Sequence, residues 1–193
     1  MEPMQTEERR LTVERNVPVD ALYMAFHMCS RNHPDYYAFD MLSDLLSSGR
    51  SSRFVQHLVQ DKQIFNSIDA YISGSIDNGL FHIVGKPAPE KTLEEAEKAI
   101  WEELALLTEG SIDENELEKV KNRYESEQIF NNLNYLNVAT NLAYFELTGK
   151  AEDINNEVNK YRSVTAGQIK EAAQKTFVRE NCSTLYYKSN LPT

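Results

Sequence analysis

Hydrophobic and polar positions alternate along this chain with two different periods. Leu11 to Asn16 alternates residue by residue and predicts a first strand. Ala21 to Cys29 does the same, with Leu22, Met24, Phe26 and Met28 on one face and Tyr23, Ala25, His27 and Cys29 on the other. Both faces of this second run are fairly apolar, which predicts a central strand. The period then changes. Asp35 can cap a helix in which Ala38, Met41, Leu42, Leu45 and Leu46 recur at helical spacing, with Gly49 as its stop. After the polar turn Gly49-Arg50-Ser51 a short helix is predicted over Ser52 to Asp61, with Phe54, Leu58 and Val55 on its buried side. Period two returns over Ile64 to Ser73. Ile64, Ile68, Ala70 and Ile72 oppose Phe65, Ser67, Asp69 and Tyr71, and Asn66 falls on the apolar parity. Asp77-Asn78-Gly79 predicts the turn of a hairpin whose second strand is Leu80 to Gly85. Proline ends it at Lys86-Pro87-Ala88-Pro89, since proline cannot donate to a ladder.

The rest of the chain is mostly helical in period. Thr92-Leu93-Glu94-Glu95 is a capping box, and Leu93, Ala96, Ile100, Leu104 and Leu107 mark about four turns that Gly110 closes. Asp113-Glu114-Asn115-Glu116 opens the next helix, which carries Leu117, Val120 and Tyr124 and runs through Ile129. Asn131, Asn132, Asn134 and Asn137 then compete for backbone hydrogen bonds and predict a break. Helix resumes to Thr148 with Val138, Leu142 and Phe145 on one side, and Gly149 caps it. A short helix over Ala151 to Tyr161 follows. Thr165-Ala166-Gly167-Gln168 is a further capping box, opening a helix with Ile169, Ala172, Ala173 and Phe177. Ser183 to Tyr187 is the last strand. Paired strands separated by blocks of helices predict an α+β fold, one mostly antiparallel sheet with helices packed on one face. The expected division is a linker over residues 1–10 and a single domain over residues 11–190.

Composition narrows the function classes. The chain has 193 residues, 41% hydrophobic and 26% charged, and a net charge of -10, which reads as soluble and globular and large enough for a core without staples. An acidic surface argues against nucleic acid or an anionic membrane as partner. No apolar run reaches the roughly 18 residues of a membrane span. The opening MEPMQTEERR has no apolar region of a signal peptide and reads instead as a linker, so a longer parent is expected. Cys29 and Cys182 are too few and too far apart for a disulfide framework or a zinc ribbon and are expected as reduced thiols.

Four motifs, in order, resemble those of one family. Val17 to Phe26 (VPVDALYMAF) resembles its opening strand. Asp40 to Gly49 followed by Ser51-Ser52-Arg53-Phe54-Val55-Gln56-His57-Leu58 is similar to its helix, glycine turn and "SSRL-x-x-x-L" segment. Ile112 to Lys121 (IDENELEKVK) is similar to "I-T-x-x-E-L-x-x-A-K", and Val164 to Ile169 with Ala172 and Ala173 to "V-T-x-x-D-I-x-x-A-A". Together with the element order, from about residue 11 to 188, they resemble one half-unit of the pitrilysin/insulinase zinc peptidases, which include processing-peptidase-like proteins. That family pairs two such domains. The resemblance implies that the first binds zinc through His-x-x-Glu-His and a later glutamate, while the second closes over the peptide and offers an arginine and a tyrosine seven residues apart.

No His-x-x-Glu-His occurs here. His57-Leu58-Val59-Gln60-Asp61 lacks the motif's glutamate and its second histidine, and His27, His33 and His82 are scattered. His57 is expected on a solvated helix face, and no metal or catalytic residue is assigned to this chain. Setting Leu58 on the family's leucine puts Val59 where the arginine belongs and Asn66 where the tyrosine belongs. Valine cannot donate a hydrogen bond and asparagine donates only from a neutral amide, so the clamp is missing unless Arg53 or Tyr71 replaces it. Arg53, Val59 and Asn66 are therefore the substrate-facing candidates, and the apolar-parity side of the hairpin around Asn66 is expected to face the substrate. By this resemblance the chain is the closing, substrate-binding domain of a zinc metalloendopeptidase, inactive alone. Zinc would come from an upstream domain of the same parent, the substrate would be a peptide, and a homologous partner subunit could supply the missing pair. The alternative is a non-catalytic scaffolding subunit of the same fold.

Overall fold

A computed structural model describes residues 5–190. The first four residues of the expected linker lie outside that range. Five strands form one sheet among the described residues: β1 (Arg9–Arg15), β2 (Ala21–Ser30), β3 (Phe65–Ser73), β4 (Asn78–Pro87) and β5 (Cys182–Ser189), in the order β1-β5-β2-β4-β3. Only β1 and β5 pair in parallel; β5 with β2, β2 with β4 and β4 with β3 are antiparallel. β1 starts at Arg9, two residues before the alternation is legible, and Gln5 Nε2 already donates to the Cys182 carbonyl at 2.8 Å.

The helices are α1 (Tyr36–Ser47), α2 (Leu93–Glu109), α3 (Glu114–Asn131), α4 (Tyr135–Thr148), α5 (Glu157–Arg162) and α6 (Ala166–Thr176). The alternation in β2 works as its pattern predicts. Leu22, Met24, Phe26 and Met28 are buried beneath the helices, while Tyr23, Ala25, His27 and Cys29 lie on the open face of the sheet. Phe81 and Ile83 of β4 and Ile68 and Ala70 of β3 extend the same floor, and Leu42, Leu46, Ile100, Leu104, Ile169 and Ala173 cover it. Each such large apolar side chain stabilises the fold by roughly 1.5–3 kcal/mol through burial. Both threonine capping boxes are formed, at Thr92 with Glu95 and at Thr165 with Gln168. The asparagine cluster separates α3 from α4, and the Asn134 side chain caps α4 by accepting from Leu136 N–H.

Four local expectations change. The Asp35 side chain makes no capping bond to α1. The hairpin turn lies over residues 74–77, because Asn78 and Gly79 already belong to β4. Gly79 is required there by close approach, since a Cβ would sit 2.5 Å from the Ser73 carbonyl oxygen. The short helix before β3 is wound as a π-helix over Phe54–Asp61, with Lys62 N–H bonding back five residues to the His57 carbonyl. Finally, the parity of β3 breaks at its start. Phe65 pairs with Pro87 and Ser67 with Lys86, so Asn66 is the extra residue of a bulge. Phe65 is thereby buried beside Ile68 and Ala70, and Asn66 is exposed. The apolar face of β3 does not look onto a chamber, because it packs under the helices, with Ser47 Oγ donating to the Ala70 carbonyl at 2.9 Å.

Candidate functional site

The π-helix, the loop after it and the loop after β4 meet in a cleft of ≈ 520 Å³. Val59 stands on the π-helix, Asn66 on the bulge, and both line the cleft together with Phe65, Lys62 and Lys91. The two positions where the family motif expects its clamp are thus brought together. Arg53 is not with them. It points into a neighbouring cavity of ≈ 570 Å³ and is locked by two parallel bonds to Glu116 of α3, Nε to Oε1 and Nη2 to Oε2, each 2.9 Å. A guanidinium held this way on both arms has its favoured carboxylate partner already. Tyr71 lies on the open face of β3, stacked on His82 with ring centroids 4.9 Å apart, and does not line the cleft.

His57 is not a freely solvated side chain. Its Nδ1 lies 2.8 Å from Glu103 Oε1. Glu103 sits on the core-facing side of α2 at 1% exposure, and its second oxygen has no hydrogen-bond partner. The contrast on the same helix is Glu97, also buried, whose oxygens accept from Arg10 Nη1 at 3.0 Å, Tyr186 OH at 2.6 Å and Trp101 Nε1 at 3.2 Å. Burial pushes the Glu97 carboxyl up, but the bonds from Arg10, Tyr186 and Trp101 outweigh it and hold the group below its ordinary value. Nothing in the spacing of Leu93 to Leu107 marks Glu97 and Glu103 as buried except their place on the apolar stripe, which is the signal that could have found them.

The remaining histidines do not converge. His82 pairs across from Ala25 and His27 from Leu80, so they are diagonal neighbours on the open face. His82 lies 3.1 Å from Ser73 Oγ, and burial lowers its pKa. Among the described residues no three His, Cys, Asp or Glu side chains gather as metal ligands. Zinc wants three or four convergent donors, and the donors present here do not fit it. Cys182 is buried and Cys29 half-buried, both free, and burial raises both thiols to about 11. Neither has the depressed pKa of a reactive nucleophile. Among the described residues no helix is long and apolar enough to cross a membrane.

The profile of the family described as "Peptidase M16 inactive domain" matches residues 1–124. The chain is 23% identical over 188 residues to the zinc protease PqqE of Helicobacter pylori, covering 97% of this chain and 42% of that protein. It is 24% identical over 196 residues to the uncharacterized zinc protease YmxG of Bacillus subtilis, covering 100% of this chain and 47% of that protein. It therefore spans less than half the length of the curated relatives it matches. Its fold superposes with a TM-score of 0.90 on the crystal structure of a protease from Helicobacter pylori, at 22% identity over 96% of this chain and 45% of that one.

Proposed function

Because the chain belongs to the peptidase M16 inactive-domain family, we propose that it is the closing, peptide-holding half of a zinc metalloendopeptidase and works on a metal it does not bind itself. The names of the relatives support a zinc protease as parent, and the inactive-domain profile supports the non-metal half. The observation that carries the reading is the cleft that unites Val59 and Asn66, the two positions where the family motif expects its clamp. Zinc, when bound by an upstream unit, would supply the Lewis acid and the activated water. This chain's residues would hold the peptide, with Val59 and Pro89 offering apolar contact and Asn66 a neutral donor and acceptor.

The test is reconstitution. The purified chain alone is expected to carry no stoichiometric zinc and to cleave no unfolded casein. Casein cleavage is expected once a zinc-bearing half with His-x-x-Glu-His, from the same parent or a partner chain, is added. Stoichiometric zinc in this chain, with metal-dependent cleavage abolished by His57→Gln, overturns the reading. If neither the parent nor any co-purifying chain carries His-x-x-Glu-His, the scaffolding alternative replaces it.

A further inference from the structure

Backbone irregularities crowd the rim of the Val59–Asn66 cleft. Gln63 at φ 50° and Glu90 at φ 70° are the only non-glycine residues in the left-handed region among the described residues. Gln63 lines the cleft, and Glu90 stands between Pro89 and Lys91, which also line it. The π-helix ends at Asp61 against one side and the Asn66 bulge forms another. Ala88 N–H bonds to the Ile64 carbonyl at 2.8 Å and ties the two strained loops together. Left-handed backbone costs a side-chain-bearing residue roughly 1–2 kcal/mol. Such strain persists only where the surroundings impose it, and it clusters at ligand clamps.

The chemistry of the lining is one-sided. Lys62 and Lys91 bring two ammonium groups, Asn66 and Gln63 bring amides, and no carboxylate lines the cleft. This is in a chain with 30 Asp and Glu against 20 Lys and Arg. Lys62 has one long, exposed contact, 3.4 Å to Glu102. Lys91 is in no ion pair among those of the described residues; its charge helps hold the nearby Glu95 carboxyl below its ordinary value, behind the backbone bond that Glu95 makes to Thr92 in the capping box. Beside these donors, Val59 and Pro89 make an apolar wall.

We propose that this cleft binds the free C-terminal carboxylate of a peptide, held between Lys62 and Lys91 with the Asn66 amide as a further donor, and that its apolar wall takes the last side chain. Donors grouped next to an apolar wall suit a group that presents a carboxylate and a side chain from one carbon. The inference rests on the peptide-holding reading and names the end of the peptide that is held.

The 193-residue chain is titrated with the acetylated heptapeptide Ser-Gly-Ala-Ser-Gly-Ala-Leu as free acid and as C-terminal amide. Calorimetry gives the affinity and amide chemical shifts give the place. The acid is expected to bind at least ten-fold more tightly than the amide, with shifts over residues 59–66 and 88–91. That preference is expected to fall with salt and to vanish in Lys62→Gln/Lys91→Gln, a surface variant whose melting temperature checks its fold. Equal binding of acid and amide at these residues overturns the carboxylate assignment and leaves the peptide-holding reading standing. An amidated peptide ending in Glu that matches the acid overturns the choice of the terminal group. Shifts confined to another surface overturn the cleft alone, and no binding of either peptide sinks both readings.

Discussion

Single residues in this chain gain or lose meaning through one partner each. Arg53 looks available in the sequence and is engaged by Glu116. His57 looks solvated and leans on a buried carboxylate. Asp44 of α1 shows the same dependence in its proton affinity. Burial raises its pKa, to about 6, and Asp40 and Glu127 add to the shift, while Ser48 and Arg123 oppose it. The folded value lies above the ordinary aspartate value of 3.8. The fold therefore favours the protonated form, and this contribution is present at low pH and is lost as pH rises through about 6. Asp44→Asn, which mimics the protonated group, is expected to stabilise the chain by about 2 kcal/mol at pH 8 and to be near neutral at pH 3.5. Urea denaturation at the two pH values checks this; an equal effect at both would remove the titration as its cause.

At the scale of elements, the cleft depends on how β3 begins. The bulge turns Phe65 inward, and its ring then lies over Gly85 of β4, where a Cβ would meet ring carbons at 2.4 and 2.7 Å. The ring is fully buried and cannot swing away without opening the core. Gly85→Ala is expected to destabilise the chain by about 2 kcal/mol and to shift the amide resonances of Asn66 and Ser67. A change under 0.5 kcal/mol with unmoved resonances would show that the ring does not fix the bulge. Helix starts were legible because a capping box is local: Thr92 and Thr165 satisfy backbone donors three residues away. The bulge was not, because nothing within Ile64 to Ser73 counts residues against the opposite strand. Period two predicts Asn66 on the apolar face, and only pairing with Lys86 and Pro87 makes it the residue left over.

For the whole molecule, stability is unevenly spread. The sheet and α1, α2 and α6 share one core, whereas α4 buries no residue and leaves Tyr135 89% and Leu147 77% exposed. α3 buries only Leu117 and Val120, and is otherwise held by partly exposed contacts such as Arg53 with Glu116 and the Tyr124 ring stacked on Tyr161 of α5 at 3.6 Å between centroids. Amide protons of α4 in the isolated chain are expected to exchange at least a hundred-fold faster than those of β2 and β4. Comparable protection of α4, measured by hydrogen exchange, would mean that something buries it in solution. Family and fold class were visible in the order of the motifs, whereas the proposal that the chain works on a metal held elsewhere starts from what is missing from that order. His57 has neither the glutamate nor the second histidine of the zinc motif, and the structure gathers no substitute ligands among the described residues.

The sequence by itself determined the order of the elements, the threonine caps at Thr92 and Thr165, the side of β2 that faces the helices and the absence of the His-x-x-Glu-His motif. Those are set by neighbours within a few residues, through period, backbone hydrogen bonding and residue chemistry. Tertiary structure alone decided that Val59 and Asn66 share a cleft with two lysines, that Arg53 is engaged by Glu116, and that His57 rests on Glu103. Each of these joins residues from different elements, 63 and 46 positions apart for the two pairs. The reason is geometric: where such side chains meet depends on strand register and helix packing, which no local pattern specifies.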